Sequence, residues 1–332
     1  MLSKEGPRSA VGDVDGDGLD DVYICGGFDQ GGQLYMQNRD GKFAERFQKD
    51  FQLNKNHEEV VSLFFDCDKD GDLDLFVGSG GNNQPPRTPQ LSHRLYKNDG
   101  HGNFTLEKNA FPENNSNVGA AAAIDLDDDG VLDLFVGAYN TSFVYGLMPG
   151  STFYKNDGSG HFTEMQLSST KDWNKLGMVT GGVAVDVTGD NKKELVAVGE
   201  WMNPKIFEFT KQGIKEVPSS LAKLNGWWQS VAVADLDGDG RNDIVLGNIG
   251  ENFYLKPDSL NPSRLWVNYF GVDGSIQQTI TRTVNGKNVP VFMKRQMEEQ
   301  FTYLKKKNLK YATFASKSIE ELFDKELINQ AV

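Results

Sequence analysis

From Asp235 the chain reads DLDGDGRND, which sets carboxylates at loop positions 1, 3, 5 and 9 and a glycine, Gly240, at position 6. A short loop built this way surrounds a hard cation with oxygen. Asp235, Asp237, Asp239 and Asp243 offer side-chain ligands, the carbonyl of Arg241 at position 7 offers another, and Gly240 permits the sharp turn. Four carboxylates so close repel one another unless a positive charge sits among them. The chemistry expected is calcium ligation.

The device recurs. Asp13, Asp15, Asp17, the Leu19 carbonyl and Asp21 form one set, and Asp66, Asp68, Asp70, the Asp72 carbonyl and Asp74 a second. Asp125, Asp127, Asp129, the Val131 carbonyl and Asp133 form a third. A weaker copy holds Asp186, Thr188, Asp190, the Lys192 carbonyl and Glu194, with Asn191 in place of the turn glycine. First ligands lie 53, 59, 61 and 49 residues apart, the period of a repeat architecture. Four Ca2+ sites are expected, with a fifth, weaker one at 186–194. A helix-flanked calcium loop would need a carboxylate at position 12. Here that position holds Ile24, Val77, Val136 and Leu246, each inside an apolar run, so strands flank the loops.

The elements that position these loops follow from turn chemistry. Arg94–Asn98 and Asn103–Glu107 read as a hairpin around Asp99-Gly100-His101-Gly102. The pattern repeats at Leu34–Asn38 with Lys42–Glu45, and at Phe153–Asn156 with His161–Glu164. A looser copy pairs Pro204–Thr210 with Ile214–Val217 across Lys211-Gln212-Gly213. Four short strands per unit make an all-β chain of β-propeller blades.

The apolar–DxDxDGxxD–apolar-Gly unit resembles the FG-GAP (VCBS-type) repeat of integrin α-subunit propellers and of bacterial and cartilage-acidic-protein-like secreted proteins. The Tyr-x-Asn-Asp-Gly hairpins beginning at Tyr96 and Tyr154 are similar to the second group in particular. The resemblance implies calcium in the loops, an exported or cell-surface location, and a role in adhesion or in binding a protein or glycan. It also implies about six blades here, an incomplete seven-bladed ring. The sixth loop is metal-free, because Tyr269, Gly271 and Gln277 replace acidic ligands. Blades are expected over 1–292 and a helical C-terminal extension over 293–332. There Met297, Phe301 and Leu304 share a helix face, and Ser318-x-x-Glu321 forms a capping box ahead of Leu322, Phe323 and Leu327.

Charge supports the metal reading. The 332 residues carry a net charge of −13, and 22 of the 47 acidic side chains fall within the five loops. Nothing in the repeats is basic enough for nucleic acid, no apolar run reaches membrane-spanning length, and no signal peptide is read ahead of the first repeat. Cys25 and Cys67 read as buried thiols, with a disulfide left open.

Catalysis finds little support. His57, His93, His101 and His161 form no metal-binding spacing, and neither Ser79-Gly80-Gly81 nor Gly119-Ala120-Ala121 matches a nucleophile elbow or phosphate loop. A non-catalytic protein is expected, the alternative being an accessory propeller of a larger secreted enzyme. Partner binding is expected on the face opposite the calcium loops. Arg87, Tyr139 and Tyr145 lie on its long loops, and Trp173, Trp227 and Trp228 between blades, where they could equally wedge as core.

Overall fold

The computed structural model describes residues 8–82, 84–114, 116–165, 173, 175–210, 213–250, 253–271 and 274–331. The hairpin apex at Lys211 and Gln212 and part of the sixth loop, Val272 and Asp273, lie outside them.

The first three repeats each form a four-stranded antiparallel sheet in sequence order. The first is β1 (Ser9–Gly12), β2 (Asp21–Ile24), β3 (Gln33–Gln37) and β4 (Phe43–Arg46). The second is β5 (Glu59–Phe65), β6 (Asp74–Ser79), β7 (Arg94–Asn98) and β8 (Phe104–Glu107). The third is β9 (Asn117–Ile124), β10 (Asp133–Asn140), β11 (Thr152–Asn156) and β12 (Phe162–Glu164). These are propeller-like blades.

The fourth repeat supplies β13 (Met178–Val185), β14 (Glu194–Met202), β15 (Lys205–Thr210) and β16 (Gly213–Glu216). Among the described residues the fifth supplies β17 (Gly226–Ala234) and β18 (Asp243–Asn248). β17 joins the fourth sheet through Glu200↔Trp227 and Met202↔Gly226.

Packing explains why the second strands read as unbroken apolar runs. β6 and β10 are buried along their whole length, because each sheet is covered on both faces. One core joins the first and second sheets through Tyr23, Leu34, Leu75, Tyr96 and Phe104. A second joins the next pair through Phe65, Phe76, Leu95, Leu134 and Phe162. A third joins the third and fourth through Phe135, Phe153, Val179, Leu195 and Phe207.

The chain divides into two compact units, Met1–Phe143 with Met148–Asn248, and Val144–Leu147 with Ile249–Val332. The second holds a three-stranded sheet, β19 (Ser263–Asn268), β20 (Gln277–Val284) and β21 (Lys287–Pro290), followed by short helices from Lys294 to Asn329. Met297, Phe301, Leu304, Leu322 and Phe323 are buried together with Phe270, and Trp266 of β19 packs against them. The division expected at 292/293 therefore falls inside this unit: the last sheet and the helices share one core. The Ser318 N–H donates to Glu321 Oε2 at 2.7 Å, closing the expected capping box.

Candidate metal centres

Every acidic loop connects the first strand of its repeat to the second, and all five are wired alike. The position-1 carboxylate accepts backbone N–H bonds from further along the loop. Asp13 takes Gly16 and Gly18, both at 2.8 Å. Asp235 takes Gly238 at 2.8 Å and Gly240 at 2.9 Å. In the weak loop Asp186 takes Gly189 at 2.6 Å and Asn191 at 2.8 Å. The left-handed turn there is supplied by Asn191 at φ 65°, where Gly240 has φ 83°.

The position-9 carboxylate has a second role that its place in the motif did not reveal. Asp74 accepts the Cys67 N–H at 3.1 Å from its own loop and the Asn98 N–H at 2.9 Å from the third strand. Asp21 does the same with Val14 and Gln37, and Asp133 with Leu126 and Asn156. Burial raises the pKa of Asp21, Asp74 and Asp133 above the ordinary carboxylate range. Glu194 holds the Val187 N–H at 2.9 Å, and Asp243 the Leu236 N–H at 3.0 Å.

These frames gather oxygen. In four loops three carboxylates each bring an oxygen within 4.8 Å of the other two: Asp13, Asp15, Asp17; Asp66, Asp68, Asp70; Asp125, Asp127, Asp133; and Asp235, Asp237, Asp239. Among the described residues the loop at 186–194 gathers no such triad. Its Thr188 hydroxyl instead donates to Glu194 Oε1 at 3.3 Å.

Basic side chains answer the charge: Arg241 lies 2.6 Å from Asp239 Oδ2 and Lys192 Nζ 3.2 Å from Asp128 Oδ2, and two further lysines come from the third strands. Lys155 Nζ lies 2.7 Å from Asp127 Oδ1, 2.7 Å from Asp129 Oδ2 and 3.4 Å from Asp133 Oδ1. Lys97 Nζ lies 2.8 Å from Asp68 Oδ2. Partial burial opposes the Lys155 charge, yet its bonds to Asp127 and Asp129 hold its pKa above the usual lysine value. Bonding to Lys155 in turn lowers that of Asp129. The third loop, which accepts an ammonium ion and offers carboxylate and carbonyl oxygen, suits a hard divalent cation, calcium above softer metals; the second offers the same oxygens with the Cys67 thiol beside Asp68 and Asp74. Neither lysine was singled out from sequence, although Tyr-Lys-Asn recurs at 96–98 and 154–156.

The asparagines of those tripeptides tie one loop to the next blade. Asn98 Nδ2 donates to the Val14 carbonyl at 2.8 Å, and Asn156 Nδ2 to the Cys67 carbonyl at 2.7 Å. Both acceptors stand at position 2 of the preceding repeat's loop.

A family model for the FG-GAP-like repeat matches residues 13–77, 66–136 and 186–246. The chain belongs to the FG-GAP-like repeat family. Three solved structures are similar in outline to this FG-GAP chain. One is an Agrocybe aegerita lectin studied for specific recognition of non-reducing terminal N-acetylglucosamine, with 17% identity, TM-score 0.48, and 86% of this chain and 78% of that one covered. Another is a putative exo-β-1,3-galactanase from Bifidobacterium bifidum s17, with 12% identity, TM-score 0.36, and coverage of 87% and 90%. A third is the fructofuranosidase of Schwanniomyces occidentalis complexed with fructose, with 8% identity, TM-score 0.37, and coverage of 86% and 77%. These likenesses are too distant to carry a function across. No curated protein matches the FG-GAP chain as a relative.

The residues expected on the partner face disperse. Arg87 is exposed in a turn at φ 64°. Tyr139 is buried, and its hydroxyl donates to Glu200 Oε2 at 3.1 Å. Trp173 is 5% exposed and packs edge-on against Phe153 at 4.7 Å, so it is core. Trp227 is half-buried, 4.8 Å from the Trp201 ring, and Trp228 donates its indole N–H to the Leu224 carbonyl at 2.9 Å. Tyr145 falls in the second compact unit. Cys25 and Cys67 are buried free thiols, and burial pushes Cys25 up to about 12. Among the described residues no helix is long and apolar enough to cross a membrane.

Proposed function

We propose that this FG-GAP chain is a calcium-binding, non-catalytic β-propeller segment of an exported or cell-surface protein that binds a protein or glycan partner. The observation that carries the calcium reading is the repeated wiring: five loops with one hydrogen-bond pattern, four of them gathering three carboxylate oxygens. The residues that would hold the ion are the carboxylates at positions 1, 3, 5 and 9 with the position-7 carbonyl. Bound calcium would supply the cross-link and neutralise the loop charge.

Two of the histidines serve the structure, one in packing and one beside a backbone carbonyl, which supports the non-catalytic reading. His93 sits among Phe76, Phe111 and Tyr154, and His57 Nδ1 lies 3.1 Å from the Gln90 carbonyl. Partner binding is assigned to the end of the sheets opposite the metal loops. There the Trp201–Trp227 pair adjoins Glu200 and Gln229, whose side chains bond at 2.8 Å. Aromatic faces beside hydrogen-bonding groups suit sugars or a protein hot spot.

Metal analysis and thermal unfolding with and without EGTA test the first half. At millimolar calcium, a site with a dissociation constant near ~100 μM adds about 1.4 kcal/mol, so several sites give a large shift in Tm. A calcium-free protein with the same Tm in both buffers would refute it. Glycan-array binding of the wild type, lost in Trp227→Ala without loss of Tm, tests the second half.

A further inference from the structure

One register position on the third strand faces the acidic loop of its own repeat, and its occupant changes from blade to blade. The residue before it pairs with the first residue after the position-9 ligand: Tyr35 with Val22, Tyr96 with Leu75, Tyr154 with Leu134 and Phe207 with Leu195. The position itself therefore holds Met36, Lys97, Lys155 and Glu208 in the first four repeats. Only in the second and third is it basic, and there Lys97 reaches Asp68 and Lys155 reaches Asp127 and Asp129. In the first repeat a thioether stands there. In the fourth, Glu208 turns to Lys215 at 2.7 Å.

We propose that Lys97 and Lys155 are internal counter-cations that set the order in which calcium fills the loops. The inference rests on the calcium reading above. While calcium is scarce, the Lys155 ammonium holds Asp127, Asp129 and Asp133 together and the Lys97 ammonium offsets the charge of Asp68, which limits the repulsion in the third and second loops. Calcium must displace that ammonium from the same oxygens. An ion entering the first loop displaces nothing of the kind, because Met36 carries no charge. The first loop fills first, and the second and third fill at higher calcium, with their lysine side chains released towards solvent. Both lysines are already 28 to 29% exposed, so release needs no opening of the core.

Two measurements on the whole chain test this. In the first, calcium titrations by calorimetry compare the wild type with Lys97→Met/Lys155→Met, methionine being the natural occupant in the first repeat. Lys205→Met is the control, since Lys205 pairs with Glu216 at 3.1 Å on the outer hairpin of the fourth sheet. The wild type should show two affinity classes. In the double variant two sites should tighten by about tenfold or more, which corresponds to roughly 1.4 kcal/mol each, while the control keeps the wild-type isotherm. Equal tightening in the control, or none in the double variant, overturns the proposal.

The second needs no variant. Amine-reactive acylation of the wild type, read by mass spectrometry, should find Lys97 and Lys155 protected in EGTA and modified in calcium, with Lys205 unchanged. Equal protection in both buffers overturns the proposal while leaving calcium binding standing. A protein that takes up no calcium defeats the calcium reading itself, and this proposal with it.

Discussion

The side-chain amide of Asn156 donates to the backbone carbonyl of Cys67, 89 residues earlier, at 2.7 Å. It also donates to the Leu132 carbonyl at 3.0 Å, while its oxygen accepts the Gly158 N–H at 3.0 Å. One buried amide thus holds the end of its own loop, the start of its own hairpin and the loop of the preceding blade. Asn98 repeats the arrangement with Leu73, Gly102 and Val14. The acidic loops and the blade contacts are therefore one mechanical system.

Asn156→Ala strips two carbonyls and one N–H of their partners in a buried site. Each such loss costs about 1–3 kcal/mol, with some relief from water. The expected destabilisation is about 2–4 kcal/mol in urea unfolding, with the slope unchanged. An effect no larger than that of a surface alanine would contradict the latch.

Within one loop, two aspartates should separate scaffold from ligand. Asp21 is buried and holds the Gln37 N–H at 2.8 Å and the Val14 N–H at 3.2 Å. Asp21→Asn turns one acceptor oxygen into a donor facing a donor, so it should cost about 1–3 kcal/mol even in EGTA. The Asp17 carboxylate accepts the Leu19 N–H of its own exposed turn at 2.9 Å, and an asparagine oxygen can replace it. Asp17→Asn should match the wild type in EGTA and lose part of the calcium-induced rise in Tm. Differential scanning calorimetry in both buffers checks the contrast.

The loops and hairpins were legible because their signals are local. DxDxDG sets a turn, Asp-Gly sets a hairpin, and the apolar runs beside them must be strands. What was not legible depends on residues far apart in sequence. Lys155 looked like an ordinary strand residue until the fold set it against Asp127 and Asp129. Trp173 could be read as core or as partner surface and Tyr139 as partner surface, but the neighbouring blade covers the first and Glu200 engages the second. Strand partners were also hidden. Arg264-Leu-Trp-Val-Asn268 copies the pattern of Arg94–Asn98, yet the strand it forms pairs with Gln277–Val284. A periodic run specifies a strand and its apolar face, not which edge receives it.

Arg94 and Glu59 form an ion pair at 3.0 Å with side chains only 4% and 1% exposed. Glu59 Oε2 also accepts the Tyr23 hydroxyl and the Gly26 N–H, each at 2.7 Å. Breaking such a pair from one side leaves a buried charge without its partner. Arg94→Met should therefore cost about 3–5 kcal/mol. Adding Glu59→Gln removes the orphaned charge while keeping an acceptor for Tyr23, so the double variant should be more stable than Arg94→Met alone. A double-mutant cycle in urea checks this; strictly additive losses would mean the two side chains act independently.

His93 makes acid stability a further test. Burial, with the nearby Arg94 charge adding to it, holds its pKa at about 3, and neither ring nitrogen has a hydrogen-bond partner among the described residues. Burial and Arg94 likewise hold His57 at about 4. In the unfolded chain a histidine takes its proton near pH ~6.5. Above that pH both states are neutral and the contribution to stability is complete. As pH falls below it, the unfolded state binds protons that the folded state refuses. Stability is then lost, at roughly 1.4 kcal/mol per pH unit for His93, down towards its folded value. His57 acts in the same direction. Urea unfolding in EGTA between pH 7.5 and 5 should show this slope. His93→Phe, which extends the surrounding Phe76, Phe111 and Tyr154 ring cluster, should reduce it to the His57 contribution and be at least as stable as the wild type at pH 5. An unchanged slope in that variant would place the acid sensitivity elsewhere in the chain.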